Sequence, residues 1–294
     1  MMVRSKILVT GTSGQVGFEL LRCLQGLGEV VGVDRSKLNL SDPDALDRVL
    51  REVAPDIIVN PAAYTAVDRA ETEPVLAELV NATAPRVMAE HAARTGALLV
   101  HYSTDYVFDG AKSSPYLEDD PTSPLNVYGR TKRDGEQAIA NSGCKHLIFR
   151  TSWVYGARGR NFMQTMLRLA QERQQLNVVA DQFGAPTWSR TIATLTASIL
   201  ARNLAESSSA LWLANSGIYN LTAGGRTSWA GFAEAIFERA RLANVPIVTP
   251  IPSSAYPTPA RRPANSVLSH EKLNRVFGLQ PPLWQDALQL CFSD

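Results

Sequence analysis

The sequence predicts an α/β protein: a doubly wound parallel sheet followed by a smaller, loop-rich C-terminal lobe. Three observations predict it. Short apolar runs of strand length alternate with segments of helical periodicity as far as Arg150. A glycine-rich turn, Gly11 to Gly17, lies between the first such run and the first helical segment. Past residue 155 the alternation loosens, and prolines crowd between Pro246 and Pro263. Alternating βα units imply crossovers of one hand and a parallel sheet with helices on both faces. Proline has no N–H to give a helix interior or a central strand, so the crowded segment reads as loop.

The elements follow in order. Lys6 to Thr10 (KILVT) is a run fit for a strand buried on both faces. Val16, Leu20, Leu21, Leu24 and Leu27 recur at helical spacing. Glu29 to Val33 is the second strand. Asp42 caps a helix with Pro43 at its first position, and Leu46, Val49, Leu50 and Val53 form its inner face. Asp56 to Val59 is the third strand, followed by a long Ala-rich helix from about Pro74 to Arg94. Ala97 to His101 is the fourth strand, Tyr128 to Ala140 a helix, and His146 to Arg150 the fifth strand. Beyond them, helices are expected near Phe162–Arg173, Thr191–Ala205 and Trp229–Leu242, with short strands at Gly217–Leu221 and Val245–Val248.

Composition removes whole classes of function. The chain has 294 residues, 29 Lys+Arg against 28 Asp+Glu, and 45% apolar residues. That is too apolar and too neutral for a disordered chain, and it has no basic excess for nucleic-acid backbones. No stretch approaches the ~18 apolar residues of a membrane span. Met1 to Thr10 lacks the layout of a signal peptide, so a cytoplasmic location is expected. Cys23, Cys144 and Cys291 are scattered and odd in number, against a disulfide framework, and the four histidines are equally dispersed, against a zinc site. No metal ligand set is expected.

The turn Gly11-Thr-Ser-Gly14-Gln15-Val16-Gly17 follows a strand and opens an amphipathic helix. Gly11 allows the tight turn, Gly14 lets a pyrophosphate approach the backbone, and Gly17 lets helix and strand pack closely. Free N–H groups at the helix start then face the anion. Asp34 ends the second strand 20 residues beyond Gly14, the place for a carboxylate on an adenosine ribose. Arg35 follows at once and favours a 2′-phosphate instead. NADH and NADPH both remain open. The dinucleotide-binding domain, a Rossmann-type sheet, is expected over residues 1–155. The substrate lobe is expected over 156–294, with some segments returning to the sheet.

Tyr128 and Lys132 stand at i and i+4, on one face of a helix. A phenol with a pKa near ~10 is a poor acid–base group at neutral pH, but a neighbouring ammonium lowers it. Ser103 or Thr104 falls at the C-terminal end of the fourth strand, where open α/β sheets bind ligands. A hydroxyl there can hold a substrate carbonyl beside Tyr128.

With these motifs the chain resembles the extended short-chain dehydrogenase/reductase superfamily and, within it, the dTDP-4-dehydrorhamnose reductase family. The residues that carry the resemblance are GTSGQVG (11–17), NPAAYTAVDRAE (60–71), STDYVFDG (103–110), YGRTK (128–132) and RTSWVYG (150–156), with weaker likeness from FGAPTW (183–188) onward. The resemblance implies a catalytic set of Thr104, Tyr128 and Lys132. It implies dinucleotide contacts from Gly14, Gln15, Val16, Asp34, Asn39, Leu40, Ala63, Tyr64, Thr65 and Tyr102. It implies sugar-nucleotide contacts from Asp105 and Trp153, with Val67 and Tyr106 nearby. Related 4,6-dehydratases carry Asp-Glu after the threonine for water elimination; here the pair is Asp105-Tyr106, which implies reduction without elimination. The substrate implied is a dTDP-4-keto-6-deoxy sugar. Arg158, Arg160, Arg190, Arg261 and Arg262 are candidates for its diphosphate. Some family members form a dimer bridged by Mg²⁺ through three glutamates. Glu19 matches the first, but the positions near Arg190-Thr191 and in the tail LQLCFSD offer none, so Mg²⁺ is not expected to bridge a dimer and a monomer or weak homodimer is expected. The alternatives are another nucleotide 4-ketosugar reductase, or a non-catalytic subunit resembling the β subunit of methionine adenosyltransferase.

Overall fold

The computed structural model describes residues 5–205 and 209–293; residues 1–4, the start of the N-terminal run, lie outside the described residues. A six-stranded parallel sheet forms the centre. Its strands are β1 (Lys6–Val9), β2 (Glu29–Gly32), β3 (Ile57–Asn60), β4 (Leu98–Thr104), β5 (Lys145–Thr151) and, much later in the chain, a strand at Gly217–Asn220. The spatial order places that late strand beside β5, then β4, β3, β1 and β2. Every neighbouring pair is parallel. The order reverses at β1, so the strand ends on either side of it open into a crevice at the C-terminal edge.

Helices α1 (Gln15–Cys23), α2 (Pro43–Val53), α3 (Val67–Ala70), α4 (Pro74–Glu78), α5 (Ala84–Thr95) and α6 (Val127–Asn141) occupy the connections. Asp42 caps α2 by accepting from Ala45 N, with Pro43 in the first turn. Helices α4 and α5 are the expected long Ala-rich helix, but a π-helical turn at Leu79–Thr83 divides them. Local periodicity does not show that turn, because it inserts a residue without ending the helix.

The second half alternates between the sheet and a core of its own. Short strands β6 (Val154–Tyr155), β7 (Gln175–Val179), β8 (Phe183–Gly184) and β9 (Thr187–Trp188) flank α7 (Phe162–Glu172). Next come α8 (Ser189–Ala205), α9 (Ser209–Ala214), the late sheet strand β10 (Gly217–Asn220), β11 (Thr227–Ser228), α10 (Trp229–Arg239), β12 (Ile247–Ile251), α11 (Glu271–Phe277) and α12 (Trp284–Ser293). Ile192, Ile199 and Leu200 of α8, with Leu273 and Phe277 of α11, join Leu20 of α1 and Leu24 at its C-cap on one face of the sheet. Leu46 and Leu50 of α2 and Met88, Ala89 and Ala92 of α5 cover the other. A separate core gathers Met163, Met166, Leu176, Phe232, Ile236, Trp284 and Leu288. Each fully buried aliphatic or aromatic side chain in these layers contributes about 1.5–3 kcal/mol. The proline-rich segment supplies β12, paired only with β7 in a two-stranded sheet; an edge position there is compatible with Pro250.

One buried ion pair ties the layers together. Arg150 Nε and Nη2 donate to the two oxygens of Glu136 at 2.9 and 2.7 Å, and Nη1 donates to Glu118 O. Glu118 in turn accepts from Asn220 N, so β5, α6, β10 and the 118 loop are fixed to one another.

Candidate active site

The glycine turn is built by close approach. A Cβ at Gly17 would stand 2.2 Å from Gly11 O, and one at Gly11 would stand 2.9 Å from Ala62 Cβ. Gly11 also has φ +57°, a region glycine alone enters freely. Above this turn, at the C-terminal edge of the sheet, lies a cavity of about 570 Å³, a size typical of small-ligand sites. Its walls include Gly11, Gly14, Gln15, Val16 and Gly17 at the start of α1. Asp34, Arg35, Asn39 and Leu40 line one end. Ala63, Tyr64, Thr65, Tyr102, Tyr128 and Lys132 line the rest. Every residue expected to touch a dinucleotide thus faces one cavity.

The cavity fits such a ligand chemically. Its walls carry two hydroxyls, Ser103 Oγ and Thr151 Oγ1, that are buried and have no protein partner. Asp34 Oδ1 accepts from Ser36 N and Oγ, which holds its carboxyl below the usual range and keeps it charged. The main chain at Tyr64 is clamped from both sides by Asn81: Tyr64 N donates to Asn81 Oδ1 at 2.8 Å, and Asn81 Nδ2 donates back to Tyr64 O. Asn81 lies in the π-helical turn, which aims it inward. The Tyr64 hydroxyl points away, to Glu73.

Asn126 caps α6 by accepting from Gly129 N, and the first turns of that helix present Tyr128 and Lys132. The Tyr128 phenol lies beside Thr104, whose hydroxyl favours the ionised form. Thr104 Oγ1 also donates to Asp105 Oδ1 at 2.9 Å and accepts from Tyr106 N. Burial pushes the Tyr128 phenol up to about 12, against the lowering effect of Thr104. The lowering expected from Lys132 is therefore not supplied by the protein alone. The reason is geometric: Lys132 Nζ donates to Tyr102 O at 2.6 Å and lies 3.0 Å from His101 Nε2. Burial brings its ammonium down to about 7, with Glu136 opposing.

Comparison with known proteins places this geometry. Residues 5–294 match the family model described as the RmlD substrate binding domain. The chain belongs to this family. It is 53% identical to the dTDP-4-dehydrorhamnose reductase of Burkholderia thailandensis, over 98% of each chain. It is 48% identical to the enzyme of that name from Escherichia coli K12, over 95% of this chain and 94% of the relative. A crystal structure of dTDP-4-dehydrorhamnose reductase from Bacillus anthracis in complex with NADP superposes with a TM-score of 0.88, at 35% identity and 99% coverage of both chains. A UDP-glucose 4-epimerase from Thermus thermophilus, at 23% identity and a TM-score of 0.80, shares the fold.

The residues that the family resemblance assigns to the sugar, Val67, Asp105, Tyr106 and Trp153, are not among those that line this cavity. Tyr106 meets Tyr128 edge-on at 5.8 Å. Val67 opens α3, and the next residue, Asp68, pairs with Arg262 at 2.8 Å. Asp105 is buried, accepts from Thr104 at Oδ1 and leaves Oδ2 without a partner, and burial raises its carboxyl to about 6, with Ser266 and Thr104 opposing. Trp153 does not line the cavity; it stacks on Trp229 with ring centres 3.5 Å apart, in a left-handed backbone conformation at φ +47°. Gly184 leaves room for its indole, since a Cβ there would come within 2.5 Å.

The five candidate arginines part company. Arg160 lines the dinucleotide cavity, and Arg158 lies over the Phe18 ring at 3.9 Å. Arg190 Nε donates to Glu19 at 3.2 Å, so the one matching glutamate of the family's metal bridge faces a guanidinium. Arg262 is held by Asp68, and Arg261 is exposed. Among the described residues there is no cluster of three or more His, Cys, Asp or Glu able to hold a metal. Sequence reasoning missed Asn81, Asn60 and His101. The available signal was a polar residue closing two otherwise apolar buried strands, DIIVN and ALLVH.

Proposed function

We propose that the protein is an NADPH- or NADH-dependent reductase of the C4 ketone of dTDP-4-dehydro-6-deoxy-L-mannose, giving dTDP-L-rhamnose. One observation carries the reading: Tyr128, whose phenol lies beside Thr104, lines the same cavity as a glycine turn on a helix N-terminus. Gly11, Gly14, Gln15 and Gly17 would hold the pyrophosphate of the dinucleotide, Asp34 or Arg35 its adenosine ribose, and Lys132 the ribose near the nicotinamide. When bound, the reduced nicotinamide supplies the hydride to C4. Tyr128 gives its proton to the C4 oxygen as charge develops there. A phenol raised to about 12 is fully protonated at neutral pH, so the acid is loaded before the reaction begins. Thr104 donates to the same oxygen, a contact that strengthens in the transition state. Acid assistance of this kind contributes about 10²–10⁴ in rate.

The same reading treats Val67, Asp105, Tyr106 and Trp153 as the sugar-nucleotide side. It treats the chain as a cytoplasmic monomer or weak homodimer, in keeping with three cysteines that form no disulfide and with a Glu19 already facing Arg190. The test is incubation with NADPH and dTDP-4-dehydro-6-deoxy-L-mannose, following loss of dihydronicotinamide absorbance and formation of dTDP-L-rhamnose. Binding of NADPH without turnover would leave only a nucleotide-holding subunit. Turnover only with a different nucleotide or C4 product would replace the substrate.

A further inference from the structure

Behind Lys132 a row of three polar side chains crosses the ends of neighbouring strands of the sheet. Asn60 and His101 are register partners on β3 and β4, and Thr10 lies one residue beyond the Val9–Val59 pair of β1 and β3. Two residues back along the same strands the row reads Leu8, Ile58 and Leu99. The three polar side chains are essentially sealed, at 1%, 0% and 0% exposure for Thr10, Asn60 and His101. They are also joined. Thr10 Oγ1 lies 2.6 Å from Asn60 Oδ1, Asn60 Nδ2 lies 3.1 Å from His101 Nδ1, and His101 Nε2 lies 3.0 Å from Lys132 Nζ. Both ends of the chain, Thr10 and Lys132, line the dinucleotide cavity, whereas Asn60 and His101 do not. A hydrogen-bonded path therefore runs beneath the cavity from the glycine turn to the lysine.

Such a path has two complete wirings. In the first, Thr10 donates to Asn60 Oδ1, Asn60 Nδ2 donates to His101 Nδ1, and His101 Nε2–H donates to a neutral Lys132 amine. In the second, the Asn60 amide is turned. His101 Nδ1–H then donates to its oxygen, His101 Nε2 accepts from a Lys132 ammonium, and Asn60 Nδ2 donates to Thr10. The Thr10 hydroxyl proton is thereby freed toward the cavity. A neutral imidazole carries one N–H, so an ammonium at Lys132, which has no lone pair to accept with, requires the Nδ1–H tautomer of His101. Tyr102 O accepts from Lys132 in both. The other ionisable groups facing Lys132 are Tyr128 and Glu136, a turn before and after it on α6, with Glu136 paired to Arg150 of β5. Burial keeps His101 neutral and leaves both forms of Lys132 accessible near pH 7.

We propose that Thr10, Asn60 and His101 are positioning residues that couple the protonation of Lys132 to occupancy of the glycine turn. A dinucleotide acceptor group engages the Thr10 hydroxyl and so selects the ammonium wiring. The inference deepens the reductase reading and rests on it for the role of Lys132, but its test needs no turnover. Imidazole ¹⁵N resonances of the whole protein are followed between about pH 6 and 9, with and without NADPH; His101→Gln identifies the His101 signals by their loss. NADPH is expected to move the His101 proton from Nε2 to Nδ1, and to raise the pH midpoint of that exchange by about one unit, a tenfold coupling. Asn60→Asp is expected to hold the Nδ1–H form without NADPH, and Thr10→Val to uncouple the exchange from NADPH binding. NADPH bound with no change in the His101 tautomer overturns the relay alone, whatever the variants do. Failure of both NADPH and NADH to bind overturns the reductase reading together with the relay.

Discussion

The two sides of Tyr128 are built from different materials. On the dinucleotide side the site is mostly main chain: a turn that excludes Cβ atoms at Gly11 and Gly17, a helix N-terminus, and a Tyr64 backbone clamped by Asn81. On the other side it is side chains brought from remote segments, Asp68 with Arg262 and Trp153 with Trp229, beside the buried Asp105. A backbone site tolerates side-chain change because its donors belong to every residue. A side-chain site is set by individual rings and charges and is the place where specificity changes cheaply. The comparison also separates stability from recognition, since the glycine side is rigid sheet edge and the other side contains a carboxyl held at a cost.

Four changes would sharpen or break that contrast. The largest is Tyr128→Phe, which stands between the sides. It should lower kcat by about 10²–10⁴ while leaving NADPH affinity within about twofold; turnover near the original rate would remove Tyr128 as the acid. Next is Asp105→Asn. Because the folded carboxyl is raised to about 6 from 3.8, the folded state holds a proton that the unfolded chain has lost between those values. Wild-type stability therefore falls as pH rises toward 6 and is flat above about 7. The ionised group costs about 3 kcal/mol at neutral pH. Urea unfolding should show the variant more stable by up to about that amount at neutral pH, with the gap closing as pH falls through 6 toward 4. A gap independent of pH would assign the effect to packing.

Trp153→Leu should come third. Removing a stacked ring pair costs about 0.5–1.5 kcal/mol, so the sugar-nucleotide KM should rise about two- to twelvefold with NADPH affinity unchanged; an equal loss on both sides would mean the two regions are one unit. Tyr64→Phe should be smallest. It removes the hydroxyl bond to Glu73 but leaves the clamped main chain, and NADPH affinity measured by titration should move by less than about twofold. A tenfold loss would show that this part of the dinucleotide side is not a backbone site.

The same contrast explains what could be read in advance. The glycine turn, the Asp42–Pro43 helix start and the strand runs are local patterns whose physics is complete within a few residues, and they were legible. Tyr128 and Lys132 were legible as a pair, because four residues of helix fix their shared face. The partners of Lys132 were not: His101 and Tyr102 O reach it from a different strand. The two-residue strands β6, β8, β9 and β11 carry too little pattern to register, and α11 and α12 follow the proline-rich segment without a signal that the sequence reading caught. The placement of β10 beside β5 follows from packing after a long excursion, which no local spacing encodes. Trp153 could be named, but its stack on Trp229 depends on a contact across 76 residues (229 − 153).

The π-helical turn at Leu79–Thr83 has a consequence for how one helix serves two masters. An α-helix advances about 100° per residue, so a single inserted residue re-phases everything after it. Within the insertion the rod addresses Tyr64 and Thr131 through Asn81; downstream it addresses the sheet through Met88, Ala89 and Ala92. Deleting one residue there would restore an uninterrupted cylinder and oblige it to choose between those neighbours.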